Sequence, residues 1–201
     1  ANYDLTKFIA GSTEATSLSD VEYSATQLFL PLLLQAGNTY TVKGSSGVTV
    51  NTGLGNDTIF GGAGGDTIDG GSGEDRAEYF GSTAGITANL AAGTVSGDIS
   101  VGTDALRSVE RILGTAFDDV YDARGFSGAS INAGSLREWN GFEGRGGNDT
   151  IYGGGGMDNI QGGSGNDTIF SNDDSTVNGG DGDDLIYGGG EIIGGLGVDT
   201  V

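Results

Sequence analysis

Asp57, Asp66, Asp75, Asp149, Asp158, Asp167, Asp184 and Asp199 share one phase of a nine-residue period. Each takes the sixth place of a unit whose first, second and fourth places are mostly glycine and whose eighth is apolar. The units are TGLGNDTIF (52–60), GGAGGDTID (61–69), GGSGEDRAE (70–78), GRGGNDTIY (144–152), GGGGMDNIQ (153–161), GGSGNDTIF (162–170), GGDGDDLIY (179–187) and the truncated GGLGVDTV (194–201). Carboxylates at a fixed phase, once stacked, repel one another. A hard cation relieves that repulsion. Ca2+ takes about six to eight oxygens from carboxylates and main-chain carbonyls, whereas Mg2+ demands stricter octahedral geometry and keeps its waters.

Other chemistries fail on composition. His and Cys are absent, which excludes Ser-His-Asp and Cys-His nucleophile systems, HExxH zinc sites, thiolate clusters and disulfides. GFSGA (125–129) has the outline of a nucleophile elbow, but Ala129 replaces its second glycine and no histidine can act as base. The acidic residues are phased for metal and not paired across a cleft, as glycoside hydrolysis would need. The chain is therefore expected not to be an enzyme. Its net charge of −20, with only 8 Lys and Arg, leaves no basic face for nucleic acid. Pro31 interrupts the longest apolar run, Leu28 to Leu34, which is far short of the ~20 residues of a membrane span.

The aspartates need elements to hold them. Glycine permits positive φ, so places one to five form a tight loop. Places seven to nine, as in Thr67-Ile68-Asp69, alternate polar, apolar, polar and read as a short strand. A single three-residue strand cannot bury its isoleucine, but stacked units make a continuous ladder. The apolar set is Ile59, Ile68, Ala77, Ile151, Ile160, Ile169, Ile186 and Val201. Glycine shifts sharply along the chain: 4 of 42 precede residue 51. Four regions follow: an N-terminal β-rich cap (1–50), a first repeat block (51–78), a looser β-solenoid insert (79–143) and a second block (144–201). Thr39–Val42 and Val48–Val50 read as strands, the second entering the first coil, and LFLPLLL (28–34) as a strand or edge covering the end of the solenoid. Within the insert, Asp119 takes the sixth place and Tyr121 the eighth of a weaker repeat, with Asp104 a weaker ligand candidate. Trp139, Phe126 and Phe142 offer either an aromatic platform for a sugar or, preferably, a packed loop.

These units resemble the RTX (repeats-in-toxin) nonapeptide GGxGxDxUx over roughly 52–78 and 144–201. The resemblance implies an all-β, right-handed parallel β-roll with two units per turn and Ca2+ between a loop and the loop two units on. It implies ligands from the sixth-place aspartates and from carbonyls of Gly53, Gly55, Gly62, Gly64, Gly71, Gly73, Gly147, Gly154, Gly156, Gly163, Gly165, Gly180, Gly182, Gly195 and Gly197. SNDDSTVN (171–178) is an eight-residue unit and GGGEII (188–193) is shorter still. Both fall on the side opposite 144, 162, 179 and 194, which form an unbroken column. About three ions are expected in that column, one between loops 52 and 70, and fewer on the interrupted side.

Leu, Ile, Val and Phe make up 46 residues, about 23%, just above the ~20% below which disorder is the default. The expectation is a calcium-driven folding module, expanded inside the cell and rigid outside. By resemblance its setting is a larger protein, secreted or surface-bound, exported by type I secretion from a Gram-negative bacterium. Its partners would be calcium ions and the other domains of that parent. A module binding polysaccharide or a cell surface is the alternative, as in RTX adhesins, surface-layer proteins or alginate epimerases. Ending inside a repeat, the chain reads as a fragment without the family's C-terminal secretion signal.

Overall fold

The computed structural model describes residues 28–29, 39–41, 47–133, 139–172 and 174–201. Among these every regular element is a β-strand, arranged in one sheet of ten strands and one of eight. Three-residue strands alternate between the sheets: Thr58–Phe60 and Arg76–Glu78 in one, Thr49–Asn51, Thr67–Asp69, Thr150–Tyr152 and Thr168–Phe170 in the other. Each buries its central residue. The β-branched Thr at the seventh place suits an exposed strand position.

Pairing between successive coils is parallel. Val50 lies opposite Ile68, Ile59 opposite Ala77 and Ile151 opposite Ile169, so one coil consumes two nine-residue units. The later coils are shorter, with Ile169 opposite Ile186 and Val177 opposite Ile192. The deletions in 171–178 and 188–193 thus fall in loops and leave the ladder in step. One apolar core runs from Val48 to Ile186 between the sheets. Each buried isoleucine contributes about 1.5–3 kcal/mol. The fold is a parallel β-roll. Val201, the last residue of the apolar series, is exposed.

The strands expected before residue 51 pair with the roll: Thr39–Thr41 with Thr58–Phe60, Thr49–Asn51 with Thr67–Asp69, and Leu28–Phe29 adds a parallel strand beside Val50 and Asn51. The rest of the 28–34 run lies outside the described residues. In the stretch expected as looser solenoid coils, Thr87–Asn89, Thr94–Ser96 and Thr103–Arg107 form an antiparallel meander. Its ends pair in parallel with Val120–Asp122 and Thr67–Asp69. On the opposite sheet Arg111–Leu113 alone spans the same interval, between Arg76–Glu78 and Trp139–Gly146. Alternating hydrophobicity is the same for parallel and antiparallel strands, so the pattern could not show this.

Candidate metal centre

Loops leading into the two sheets stack in two columns. The sixth-place aspartates turn inward: Asp57, Asp66, Asp75, Asp149, Asp158, Asp167 and Asp184 are each at most 3% exposed. Asp199, in the terminal unit, is half-buried. In Asp66, Asp75, Asp149, Asp167, Asp184 and Asp199 one carboxylate oxygen ties the coil to its predecessor. Asp149 Oδ1 accepts the Asp119 N–H at 2.7 Å, Asp167 Oδ1 that of Asp149 at 2.8 Å, and Asp184 Oδ1 that of Asp167 at 2.9 Å. Asp199 continues the series, accepting from Asp184 at 3.1 Å. Asp75 accepts from the Asp57 N–H and Asp66 from the Val48 N–H, both at 2.8 Å.

Oδ2 of Asp66, Asp75, Asp149, Asp158, Asp167 and Asp184 is buried without a hydrogen bond. A buried acceptor left alone costs about 1–3 kcal/mol, more when charged. In the long column these oxygens face other acceptors. A Cβ on Gly144 would overlap both Asp149 Oδ2 and the Gly162 carbonyl; on Gly162, Asp167 Oδ2 and the Gly179 carbonyl; on Gly179, Asp184 Oδ2 and the Gly194 carbonyl. Glycine at the first place is therefore a steric requirement of the converging oxygens. At the second place Gly180, with φ +115°, stacks so closely on the Gly163 carbonyl that no side chain fits. Arg145 holds the equivalent place of its unit at φ +78°. Convergent acceptors without a donor fit a cation, and carbonyl and carboxylate oxygen is the donor set of a hard one. Among the described residues no three carboxylates cluster at one point. An ion between loops would therefore take much of its oxygen from the main chain.

Electrostatics points the same way. Burial pushes Asp149 up to about 8, with Asp119, Asp167 and Asp118 adding repulsion. Burial likewise raises Asp75 to about 7, Asp158 to about 7 and Asp167 to about 6. Asp66 and Asp184 are raised by the same cause. A cation between the loops counters both the desolvation and the repulsion.

The columns are unequal. In the long one Asp119, Asp149, Asp167, Asp184 and Asp199 follow without a break. Asn140 precedes Asp158 in the other, and Ser175, aligned by the Asn159–Thr176 pairing, follows it. Asp119 is in register, yet both its oxygens are engaged: Oδ1 by the Ile86 N–H and Thr115 Oγ1, Oδ2 by the Thr115 N–H at 2.7 Å. Asp104 sits beside Asp66 in the first block's continuation, and its Oδ2 accepts the Tyr79 hydroxyl at 2.9 Å. Glu110 had no place in the sequence pattern but fills a sixth place, its Oε2 accepting the Asp75 N–H at 2.9 Å. Its unit, ALRSVERIL (105–113), lacks glycine; Ser108 at the fourth place takes φ +51° instead. The only signal was Ile112 at the eighth place. Of the aromatic trio, Phe126 and Phe142 are core residues, Phe142 stacked on Tyr121 at 4.6 Å, and Trp139 is half-buried in a strand. They form no platform.

A parallel roll whose turns present buried carboxylates and carbonyls to one another, without donors, defines a cation-stabilised repeat module. The repeat model described as the RTX calcium-binding nonapeptide repeat (4 copies) matches residues 44–77 and 143–175. Over these two stretches the chain carries RTX calcium-binding nonapeptide repeats, which bind Ca2+ between repeats and form β-rolls. No curated protein matches the chain. The match opens at residue 44, in agreement with the early start of the roll. Such repeats are generally structural and non-enzymatic, and proteins carrying them are typically secreted by bacteria through type I systems. No helix among the described residues is long and apolar enough to cross a membrane.

Proposed function

We propose that this chain is a folding module of a larger secreted bacterial protein, extended in the calcium-poor cell and made rigid by Ca2+ after type I export. The observation that carries this reading is the set of buried, partnerless Oδ2 atoms facing carbonyls along the long column. Asp149 with Gly162, Asp167 with Gly179 and Asp184 with Gly194 would each hold one ion between their loops. Another ion would lie between loops 52 and 70, where Gly71 and Gly73 stack on the Gly53 and Gly55 carbonyls. Calcium supplies charge neutralisation and oxygen cross-linking; the chain's own contribution is to preset the loops through the Oδ1 bonds and the glycine stacking.

The energetics suit a switch. With dissociation constants of about 0.1 mM at extracellular sites and about 1 mM free Ca2+, each ion contributes about 1.4 kcal/mol. Four to six such ions would supply about 6–8 kcal/mol, comparable to a whole domain's stability. At micromolar calcium the contribution vanishes. Circular dichroism of the chain in EDTA and then in millimolar Ca2+ tests the reading. The β signal should be largely absent in chelator and return on calcium addition; an unchanged signal would refute it. The glycan-binding alternative finds little support on this surface. Trp139 stands without its expected partners, and the outer ladder of Tyr152, Phe170 and Tyr187 stacks ring on ring at 4.9 and 5.1 Å, with the Arg124 guanidinium over the Tyr152 ring.

A further inference from the structure

Loop 153–158, GGGGMD, has every feature of an ion-binding unit: glycine at the first, second and fourth places and a buried aspartate at the sixth. Gly154 and Gly156 hold φ +80° and +99°, as their counterparts in the long column hold positive φ. The next coil reaches it through the degenerate unit 171–178, where Asn172 stands at the second place instead of glycine. Its Nδ2 donates to the Gly154 carbonyl at 3.0 Å and to the Gly156 carbonyl at 2.8 Å. The amide's other end fixes its orientation, because Oδ1 accepts the Asp174 N–H at 2.8 Å and the Ser175 hydroxyl at 3.1 Å. A carboxamide nitrogen has two hydrogens to give, and here two carbonyls to receive them. Ser175 is buried at the sixth place, aligned with Asp158 by the Asn159–Thr176 pairing.

We infer that Asn172 stands in for a calcium ion at this level, its NH2 group satisfying the carbonyls that a cation would otherwise bridge. The inference rests on the calcium reading above and extends it to where calcium is not used. The same exchange occurs at two other points. Tyr79, at a unit's first place, gives its hydroxyl to Asp104 Oδ2, and Thr115, at a second place, gives N–H and hydroxyl to Asp119. Each donor sits where an intact unit carries glycine. Calcium levels are thus bounded by levels that the chain closes with its own hydrogen bonds, and the ion count falls below the number of loop pairs.

The test counts ions on the whole chain by native mass spectrometry at fixed free calcium, for the wild type, Asn172→Asp and Asn172→Gly. Asn172→Asp turns the donor into a third acceptor facing the two carbonyls; Asn172→Gly removes the donor and restores the glycine of the intact repeat. Each variant should bind one more Ca2+ than the wild type. If the aspartate variant does not fold in excess calcium, the glycine variant decides alone. Folded variants with an unchanged count would overturn the role given to Asn172 while leaving calcium binding intact. A wild type that binds no calcium would overturn the function itself.

Discussion

Replacing Asp167 by asparagine should change stability in opposite directions with and without calcium. Asp167 sits mid-column; its Oδ1 accepts the Asp149 N–H at 2.8 Å and its Oδ2 is buried without a hydrogen bond. The amide keeps the acceptor that holds Asp149 and removes the charge. In chelator near pH 7.5 that removal is a gain: burial and Asp184 raise the carboxyl to about 6 from 3.8, and two units correspond to about 3 kcal/mol. The new NH2 group can also donate to the Gly179 carbonyl, as Asn172 does to Gly154. In 1 mM Ca2+ the loss of one or two ions costs about 1.4–3 kcal/mol. For a chain of this size that lowers the melting temperature by about 3–12 °C. Thermal and urea unfolding followed by circular dichroism, in EDTA and in calcium, gives both values. Equal destabilisation in the two conditions would show that the carboxylate only holds the backbone, and the reasoning would fail.

Three further outcomes follow from the same geometry. In EDTA the roll should gain β structure as pH falls. The folded pKa values of about 7 for Asp75, Asp104 and Asp158 and about 8 for Asp149 exceed the ordinary 3.8, so the folded state binds protons more tightly. That stability is complete below about pH 4 and is lost as pH rises through about 6 to 8; a β signal that stays flat or falls on acidification would contradict it. Gly163→Ala forces a side chain at φ +117° against the Arg145 backbone at 2.5–2.8 Å and should cost about 2–4 kcal/mol in calcium. Gly155→Ala, with open space around it, should stay within about 0.5 kcal/mol, as denaturant melts will show.

The nine-residue phase made the isoleucine ladder and the inward aspartates legible, because glycine, aspartate and isoleucine each answer a separate physical demand at a fixed place. Gly162 leaves room for Asp167 Oδ2, Asp167 ties back to Asp149, and Ile169 fills the core. Where one demand is met by another residue type, the pattern fades. Glu110 reaches the Asp75 N–H with one more methylene, and Ser108 accepts the left-handed turn that glycine would take. Asp119 looked like the other sixth-place residues, and only three-dimensional contacts show Thr115 occupying its oxygens. The Tyr79–Asp104 bond spans 25 residues and the meander depends on strand direction, neither of which a local period encodes.

Anomalous diffraction from the calcium-loaded chain locates each bound ion. Ions are expected between loops 144 and 162, 162 and 179, 179 and 194, and 52 and 70, with none between the Gly154 and Gly156 carbonyls and Asn172. Anomalous peaks concentrated beside Asp158 and Asp174, with the long column empty, would contradict it.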